Sequence, residues 1–314
     1  MKRFLTVALA ASMGVFVAGS AFAAGDTFSA STYNAGDPAT GIIASRHNLG
    51  SLTNHLGTGD TTEICVFCHT PHFTNTANSL KPMWNRGTAA PTSFTTYGTT
   101  IGGTTIASGD IGSTSLACLS CHDGVTAFDN LVNGPGKANA GIDPGTAINQ
   151  GWNFVDEGTA LGASINMTTV GGRTLIGLDL SNDHPMSVVY NGATSSTDFT
   201  GSRASLRASN TTISTVDLTS NLASSATTFD GGNLTKNLWA VKGFVNPDAT
   251  IADVLRGPSN NRVECSSCHD PHFNNKSWNE ADSTWGTEAN SNGNFLRRVG
   301  GNTGSGVCRT CHAK

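Results

Sequence analysis

The amino-acid sequence predicts a mostly irregular chain with a few short helices and a small β-containing insert, organised around bound groups. Three observations predict this fold. Glycine supplies 37 of the 314 residues and aromatic residues only 7%, so the large apolar side chains that build an ordinary core are scarce. All 8 cysteines fall into four C-x-x-C-H motifs. Long Gly-, Ser- and Thr-rich stretches separate the motifs and carry no sustained helical or strand period.

The C-x-x-C-H motif is the signature of covalent haem attachment, in which the two thiols bond to the haem and the histidine becomes the proximal iron ligand. The four motifs contain Cys65, Cys68 and His69; Cys118, Cys121 and His122; Cys265, Cys268 and His269; and Cys308, Cys311 and His312. They predict four covalently bound haem c groups. We therefore expect a haem-organised fold of the multihaem cytochrome c class, with the short helices at the C-x-x-C-H motifs.

Two other uses of eight cysteines are a disulfide framework, which is common in exported chains, and structural zinc sites built from C-x-x-C pairs. Neither use explains why a histidine directly follows every pair of cysteines. Haem attachment explains the cysteines and these histidines together.

Residues 1–23 have the features of a cleaved signal peptide. Lys2 and Arg3 precede an apolar run from Phe4 to Val17, and Ala21-Phe22-Ala23 offers a cleavage site. A membrane anchor is the alternative, but the apolar run is shorter than the roughly 18 residues that a span needs. We expect an exported chain without a membrane span, located outside the cell or at its surface, with the periplasm as the alternative.

The charge of the chain argues against nucleic acid as a partner. Removal of Lys2 and Arg3 with the signal takes the formal net charge from −4 to −6. A protein that binds nucleic acid needs a basic surface instead.

The rest of the chain divides into four segments: an exposed arm at 24–64, a first haem pair at 65–124, a Ser/Thr-rich insert at 125–260 and a second haem pair at 261–314. Asp123-Gly124 predicts the end of the short helix that carries the second motif. Within the insert, the alternation over Thr211–Leu218 predicts a short strand. An internal repeat relates Cys68–Asn75 to Cys268–Asn275, and each copy is followed by a plain C-x-x-C-H motif.

The histidine count predicts the second axial ligand of each haem. Of 9 histidines, the motifs use four, which leaves His47, His55, His72, His184 and His272. Histidine can therefore fill every remaining axial position. A haem with two imidazole ligands has no open position for a substrate, so the count predicts electron transfer and not enzymatic catalysis. Methionine is the alternative ligand, and the mature chain contains Met83, Met167 and Met186.

His72 and His272 are the firmest candidates for distal ligands. Each lies three residues after a motif histidine and directly after a proline, which constrains the backbone so that we expect each to ligate a neighbouring haem. His184, in the insert, is the third candidate. For the last position we favour His47, which has Leu49 nearby to pack on a haem, over His55, which is followed by a glycine-rich loop.

The chain resembles the doubled-CXXCH multihaem cytochromes of metal-reducing bacteria, and in particular the OmcE-type extracellular tetrahaem cytochromes that form filaments. The matching stretches are Ile64–Phe73, Pro82–Arg86, Ala117–Ala127, Leu178–Pro185 and Val263–Phe273. The resemblance implies a row of closely stacked haems with two histidine ligands each, with one histidine donated across a subunit interface in some members.

These observations predict an exported electron-transfer protein that passes electrons along closely spaced haems to extracellular acceptors such as metal oxides. Its expected partners are other copies of itself, in a polymeric filament, and other cytochromes. The alternative is a monomeric periplasmic shuttle between a quinol-oxidising cytochrome and a terminal reductase. A multihaem nitrite or hydroxylamine oxidoreductase would need a haem with an open position, which the surplus of histidines disfavours.

Overall fold

A computed structural model describes residues 42–50, 56–72, 83–87, 93–97, 107–135, 146–156, 158–184, 186–190, 206–216, 218, 237–273, 294–298, 301–302 and 305–313. The proposed signal peptide and His55 lie outside these residues. Within them, the regular elements are short. The helices are α1 (Ser113–His122), α2 (Met167–Val170), α3 (Ile251–Val254), α4 (Cys265–Cys268) and α5 (Gly306–Cys311). None of the helices in these ranges has the length and apolar character needed to cross a membrane.

Helical turns lie at all four C-x-x-C-H motifs. The first motif forms a 3-10 turn at Cys65–Phe67, and the other three lie in α1, α4 and α5. In the first, third and fourth motifs the backbone N–H of the histidine donates to the carbonyl of the first cysteine, at 2.8–3.0 Å. A single helical turn therefore brings both thiols and the imidazole of a motif to one place.

The prediction that Asp123-Gly124 ends the helix of the second motif is confirmed. Helix α1 ends at His122, with Asp123 as its C-cap. Gly124 has a φ of 73°, which favours glycine. A Cβ at this position would lie 2.6 Å from the Leu175 side chain, so the turn also packs tightly against the following chain.

The strands are β1 (Gly57–Thr58), β2 (Asn130–Leu131), β3 (Ile148–Asn149), β4 (Asn153–Asp156), β5 (Thr159–Ala163), β6 (Val188–Val189), β7 (Trp239–Val241), β8 (Phe244–Asn246) and β9 (Arg262–Val263). They pair antiparallel as β1-β4-β5, β2-β3, β6-β9 and β7-β8. Strand β1 comes from the arm at 24–64, and Gly57 pairs with Val155 of the insert. The sheets thus join segments that are distant in sequence.

The strand predicted over Thr211–Leu218 is wrong. Ile213–Thr215 forms a 3-10 turn, and Thr212 makes a single bridge to Thr250. The physical reason is that Ile213 and Val216 are both buried, three residues apart, which fits a turn rather than an alternating strand.

Two of the hydrophobic cores combine residues of the insert with residues of the segments 65–124 and 261–314. The first core contains Leu49, Leu56, Phe67, Phe128, Leu131, Trp152, Phe154, Ile165 and Met167. The second core contains Tyr190, Ile213, Trp239, Val241, Ala249, Ile251, Val254, Leu255, Leu296 and Val307. The early part of the insert therefore packs with the first motif segment, and the late part packs with the segment of the fourth motif.

The internal repeat extends further in the structure than in the sequence. Met83 O accepts from Thr70 N at 3.0 Å, and Phe295 O accepts from Asp270 N at 2.8 Å. Met83 and Phe295 both have positive φ, 48° and 56°. Arg86 and Arg298 follow three residues later in each copy, and both are fully buried. In each copy the motif is thus hydrogen-bonded to a second segment, 83–86 in the first copy and 295–298 in the second. Each of these segments ends in a buried arginine.

Candidate haem-binding sites

The eight cysteines form no disulfides with one another, and the four motifs come together in sequence order. Cys68 and Cys121, from the first and second motifs, both pack against the first core. Cys118 and Cys265, from the second and third motifs, pack in a third apolar cluster with Leu119. The third and fourth motifs meet at the second core through Cys268 and Cys311. The fold therefore arranges the four motifs as a row.

Three of the four motif histidines face a second histidine. The ring centroids of His69 and His272 are 6.1 Å apart with an interplanar angle of 13°. Those of His184 and His269 are 6.1 Å apart at 19°. For His47 and His122 the separation is 6.3 Å, but the planes are nearly perpendicular at 88°. Each pair combines one motif histidine with one histidine from another segment.

These separations fit two imidazoles on opposite sides of one metal ion. With metal–nitrogen bonds of about 2.0 Å, the centroids of two such rings lie roughly 6 Å apart. Direct stacking of rings would bring the centroids closer, as between His47 and Phe295 at 4.1 Å. The four pairs of thiols and three imidazole pairs of the row therefore fit haem as the bound group, and His47, His184 and His272 fit its distal ligands.

Outer contacts orient three of these imidazoles. His122 Nδ1 lies 2.7 Å from the carbonyl oxygen of Thr174, and His269 Nδ1 lies 2.7 Å from that of Asn294. A carbonyl only accepts hydrogen bonds, so Nδ1 carries the proton and Nε2 keeps the lone pair that a metal needs. His272 Nδ1 lies 3.2 Å from Asp270 Oδ1, which has the same effect.

Enclosure keeps three of the facing imidazoles neutral. Burial, followed by the neighbouring His122, lowers the pKa of His47 to about 3. Burial is also the largest cause of the lowered pKa of His122 and of His269. Neutral imidazole is the form that binds metals, so these positions suit ligands at neutral pH.

The remaining candidates lie elsewhere. His72 is exposed, and its carbonyl accepts from Thr70 Oγ1 at 2.9 Å. His312 follows α5 and makes a backbone bridge with Leu206. Among the methionines, Met186 lies with its sulfur 3.9 Å from Cys265 Sγ, Met167 belongs to the first core, and Met83 is exposed.

Reasoning from the sequence did not identify the buried charges that hold the row together. Arg86 donates through Nε and Nη2 to the carbonyl of Ser120, at 3.2 and 2.7 Å. It therefore binds α1, the helix that carries the second motif. Glu264 is buried beside the third motif and accepts from Ser187 Oγ at 2.8 Å and from Ser115 Oγ of α1. The equivalence of Arg86 and Arg298 could not be read from the sequence, because the two arginines lie at different distances from their motifs.

A third buried charge, Asp270, follows the third motif directly. Its Oδ2 lies 2.9 Å from Arg297 Nη1, and both side chains are less than one tenth exposed. Burial raises the pKa of Asp270, but the hydrogen bonds from His272 and the charge of Arg297 together outweigh it and hold the pKa below its usual range. Asp270 is therefore ionised where it meets His272.

No family model matches the chain, and no curated protein sequence matches it. Within the ranges that the structure describes, no group of three or more His, Cys, Asp or Glu side chains could hold a metal ion. A haem iron takes only two ligands from the protein, so the paired imidazoles are the relevant arrangement.

Proposed function

We propose that this chain is an exported tetrahaem c-type cytochrome that carries electrons along a row of closely spaced sites. The observation that carries the proposal is the set of three imidazole pairs at 6.1–6.3 Å, each of which joins a motif histidine to a histidine from another segment. An iron ion held in haem by two imidazoles exchanges single electrons and offers no position to a substrate.

The chain's own residues then have distinct roles. The paired thiols of each motif would hold one haem covalently, and in the first three motifs the motif histidine and its facing histidine would bind the iron. The packing of cysteines from successive motifs on shared apolar clusters keeps neighbouring sites close. Because buried apolar side chains exclude water from these clusters, the surroundings reorganise little when the charge of a site changes.

For the destination of the electrons we propose extracellular acceptors such as metal oxides, reached through a polymer of this chain and through contacts with other cytochromes. The resemblance to filament-forming tetrahaem cytochromes supports this, and so does the exposed position of His72, a histidine available to a neighbouring copy. The alternative remains a monomeric periplasmic shuttle with all ligands from one chain.

The test of haem binding uses the full chain, expressed in a host that attaches haem c. We expect four haems per chain, and only low-spin signals in the electron paramagnetic resonance spectrum of the oxidised, assembled protein. Replacing both cysteines of one motif by alanine should lower the ratio to three. Preparations that contain zinc or disulfides in place of haem, or that show high-spin haem throughout, contradict the proposal.

The test of assembly is electron cryo-microscopy of the native secreted fraction. Filaments with a continuous row of haems are the expected result. Monomers alone, confined to the periplasm, favour the shuttle over the polymer while leaving electron transfer itself intact.

A further inference from the structure

The first two sites of the row differ in the group that contacts the outer nitrogen of a ligand. In the pair of His69 and His272, His272 Nδ1 lies 3.2 Å from the carboxylate of Asp270. In the pair of His47 and His122, His122 Nδ1 lies 2.7 Å from the neutral carbonyl of Thr174. A carboxylate partner increases the basicity of an imidazole ligand. The first pair therefore donates more electron density to a bound metal.

Asp270 is fixed against His272 by more than one contact. Asp270 Oδ1 also accepts from the backbone N–H of His272 at 3.0 Å. Arg297 Nη1 donates to the other carboxylate oxygen, Oδ2, at 2.9 Å, and Arg297 Nε donates to the carbonyl of Ser266 at 2.8 Å. The arginine thus holds the carboxylate in its orientation and leaves Oδ1 to the imidazole.

The ring planes differ between the same two sites. The planes of His69 and His272 are nearly parallel, whereas those of His47 and His122 are nearly perpendicular. Two parallel imidazoles would both raise the energy of the same iron d orbital. Oxidation removes an electron from this orbital, so parallel rings would stabilise the oxidised state. Perpendicular imidazoles would each raise a different orbital and so would stabilise the oxidised state less.

Two buried charges of opposite sign lie near the second pair. Arg86 donates to the carbonyl of Ser120, two residues before His122. Asp123, directly after His122, is bound by the backbone N–H groups of Val125 and Thr126, each at 2.9 Å. These charges oppose each other, as Asp270 and Arg297 do at the first pair, so the ring planes and the direct contact of the carboxylate with His272 Nδ1 decide the difference between the sites.

On the basis of the proposed function, we propose that Asp270 is a positioning residue that gives the first site, His69 with His272, a lower reduction potential than the second site, His47 with His122. The two sites adjoin, because Cys68 and Cys121 of their motifs pack on the same core. With haem bound at both sites, one electron would leave the first site, which would be oxidised, and reach the second, which would be reduced, while no atom or proton moves. The row therefore has a preferred direction at this step.

The first test is a stepwise reductive titration of the wild-type holoprotein, followed by electron paramagnetic resonance. Perpendicular imidazole ligands give an oxidised low-spin signal of large anisotropy, which parallel ligands do not give. The variant His47→Ala identifies the component from the second site, and His272→Ala identifies the component from the first. We expect the second-site signal to disappear at higher potential than the first-site signal. The reverse order overturns the inference.

The second test replaces Asp270 by asparagine, which keeps an acceptor for His272 but removes the charge. A unit charge within about 10 Å changes a one-electron equilibrium by roughly tenfold at an effective dielectric constant near 20. We therefore expect Asp270→Asn to shift the reduction equilibrium of the first site about tenfold towards the reduced form. This shift raises the first-site potential by ~59 mV for one electron. If the single variant does not fold, the order of the two signals in the wild-type titration still tests the inference.

The matched control is Asp253→Asn, which removes a carboxylate bound by Lys242 Nζ at 2.8 Å in α3 and should leave all potentials unchanged. An unchanged first-site potential in Asp270→Asn, or an equal shift at every site, contradicts the role of Asp270. Absence of bound haem would contradict the proposed function instead. Four low-spin haems with the wrong order of potentials would contradict only this inference.

Discussion

At the scale of the residue, the sites depend on histidines that the chain brings together from distant segments. His47 faces His122 across 75 positions of sequence, and Phe295 also packs on His47 with ring centroids 4.1 Å apart. Enclosure in these contacts explains why the pKa of His47 falls to about 3. His47 is therefore placed and kept neutral by tertiary contacts.

We predict that His47→Ala converts one of four haems to a five-coordinate, high-spin form, because it removes one of two facing imidazoles. The measurement is the electron paramagnetic resonance spectrum of the oxidised holoprotein. His55→Ala is the matched control and should leave the spectrum unchanged. A spectrum altered by His55→Ala but not by His47→Ala would reverse our choice between these histidines.

A second prediction at this scale concerns Arg86, which is fully buried and also donates to the carbonyls of Ala127 and Phe128. Arg86→Met leaves these carbonyls without their donor, so we expect the free energy of unfolding to fall by about 2–4 kcal/mol. Denaturant unfolding of the holoprotein measures it. Arg86→Lys should recover part of the loss, since it keeps one donor group; a loss below about 0.5 kcal/mol in Arg86→Met would refute this role.

At the scale of the element, the helices of the second and third motifs are held against each other by one buried carboxylate. Ser115 of α1 donates to Glu264, and Cys265 N of α4 donates back to Ser115 Oγ at 3.1 Å. Gly112, the N-cap of α1, donates to Ser187 Oγ at 3.1 Å. This network is local to the contact between the second and third sites.

We predict that Gly112→Ala destabilises this contact, because a Cβ at Gly112 would meet the carboxylate of Glu264. Glu264 is buried and bound by two serines, so it has little room to move. The expected loss is about 1–3 kcal/mol of unfolding free energy, measured by thermal or denaturant unfolding. Gly109→Ala, where a Cβ has nothing within 4 Å, is the matched control and should be nearly neutral.

At the scale of the whole molecule, the two copies of the repeat form one continuous row and do not close into separate modules. His272, from the second copy, faces His69 of the first copy. The exposed His72 is the corresponding histidine of the first copy. In the second copy the second histidine thus faces a motif histidine of the same chain. In the first copy the second histidine is exposed.

We predict that His72→Ala opens one haem, and that wild-type protein diluted to monomers shows the same high-spin signal if His72 serves a neighbouring copy. Mass measurement by light scattering, taken with the spectrum, separates the two cases. A fully low-spin wild-type monomer together with an opened haem in His72→Ala would place the ligand within one chain. An unchanged spectrum in His72→Ala would remove His72 from the ligand set.

The sequence alone determined the local chemistry, because the C-x-x-C-H motif is contained in one helical turn: eight thiols, four motif histidines, the end of α1 at His122 and the surplus of histidines are all readable in order. Only the tertiary structure decided the pairing of His47 with His122, of His184 with His269 and of His272 with His69. It also placed Asp270 and Arg86, and it turned the expected strand at Thr211–Leu218 into a 3-10 turn. The physical reason is that these arrangements depend on packing between segments far apart in the chain, which no local pattern encodes.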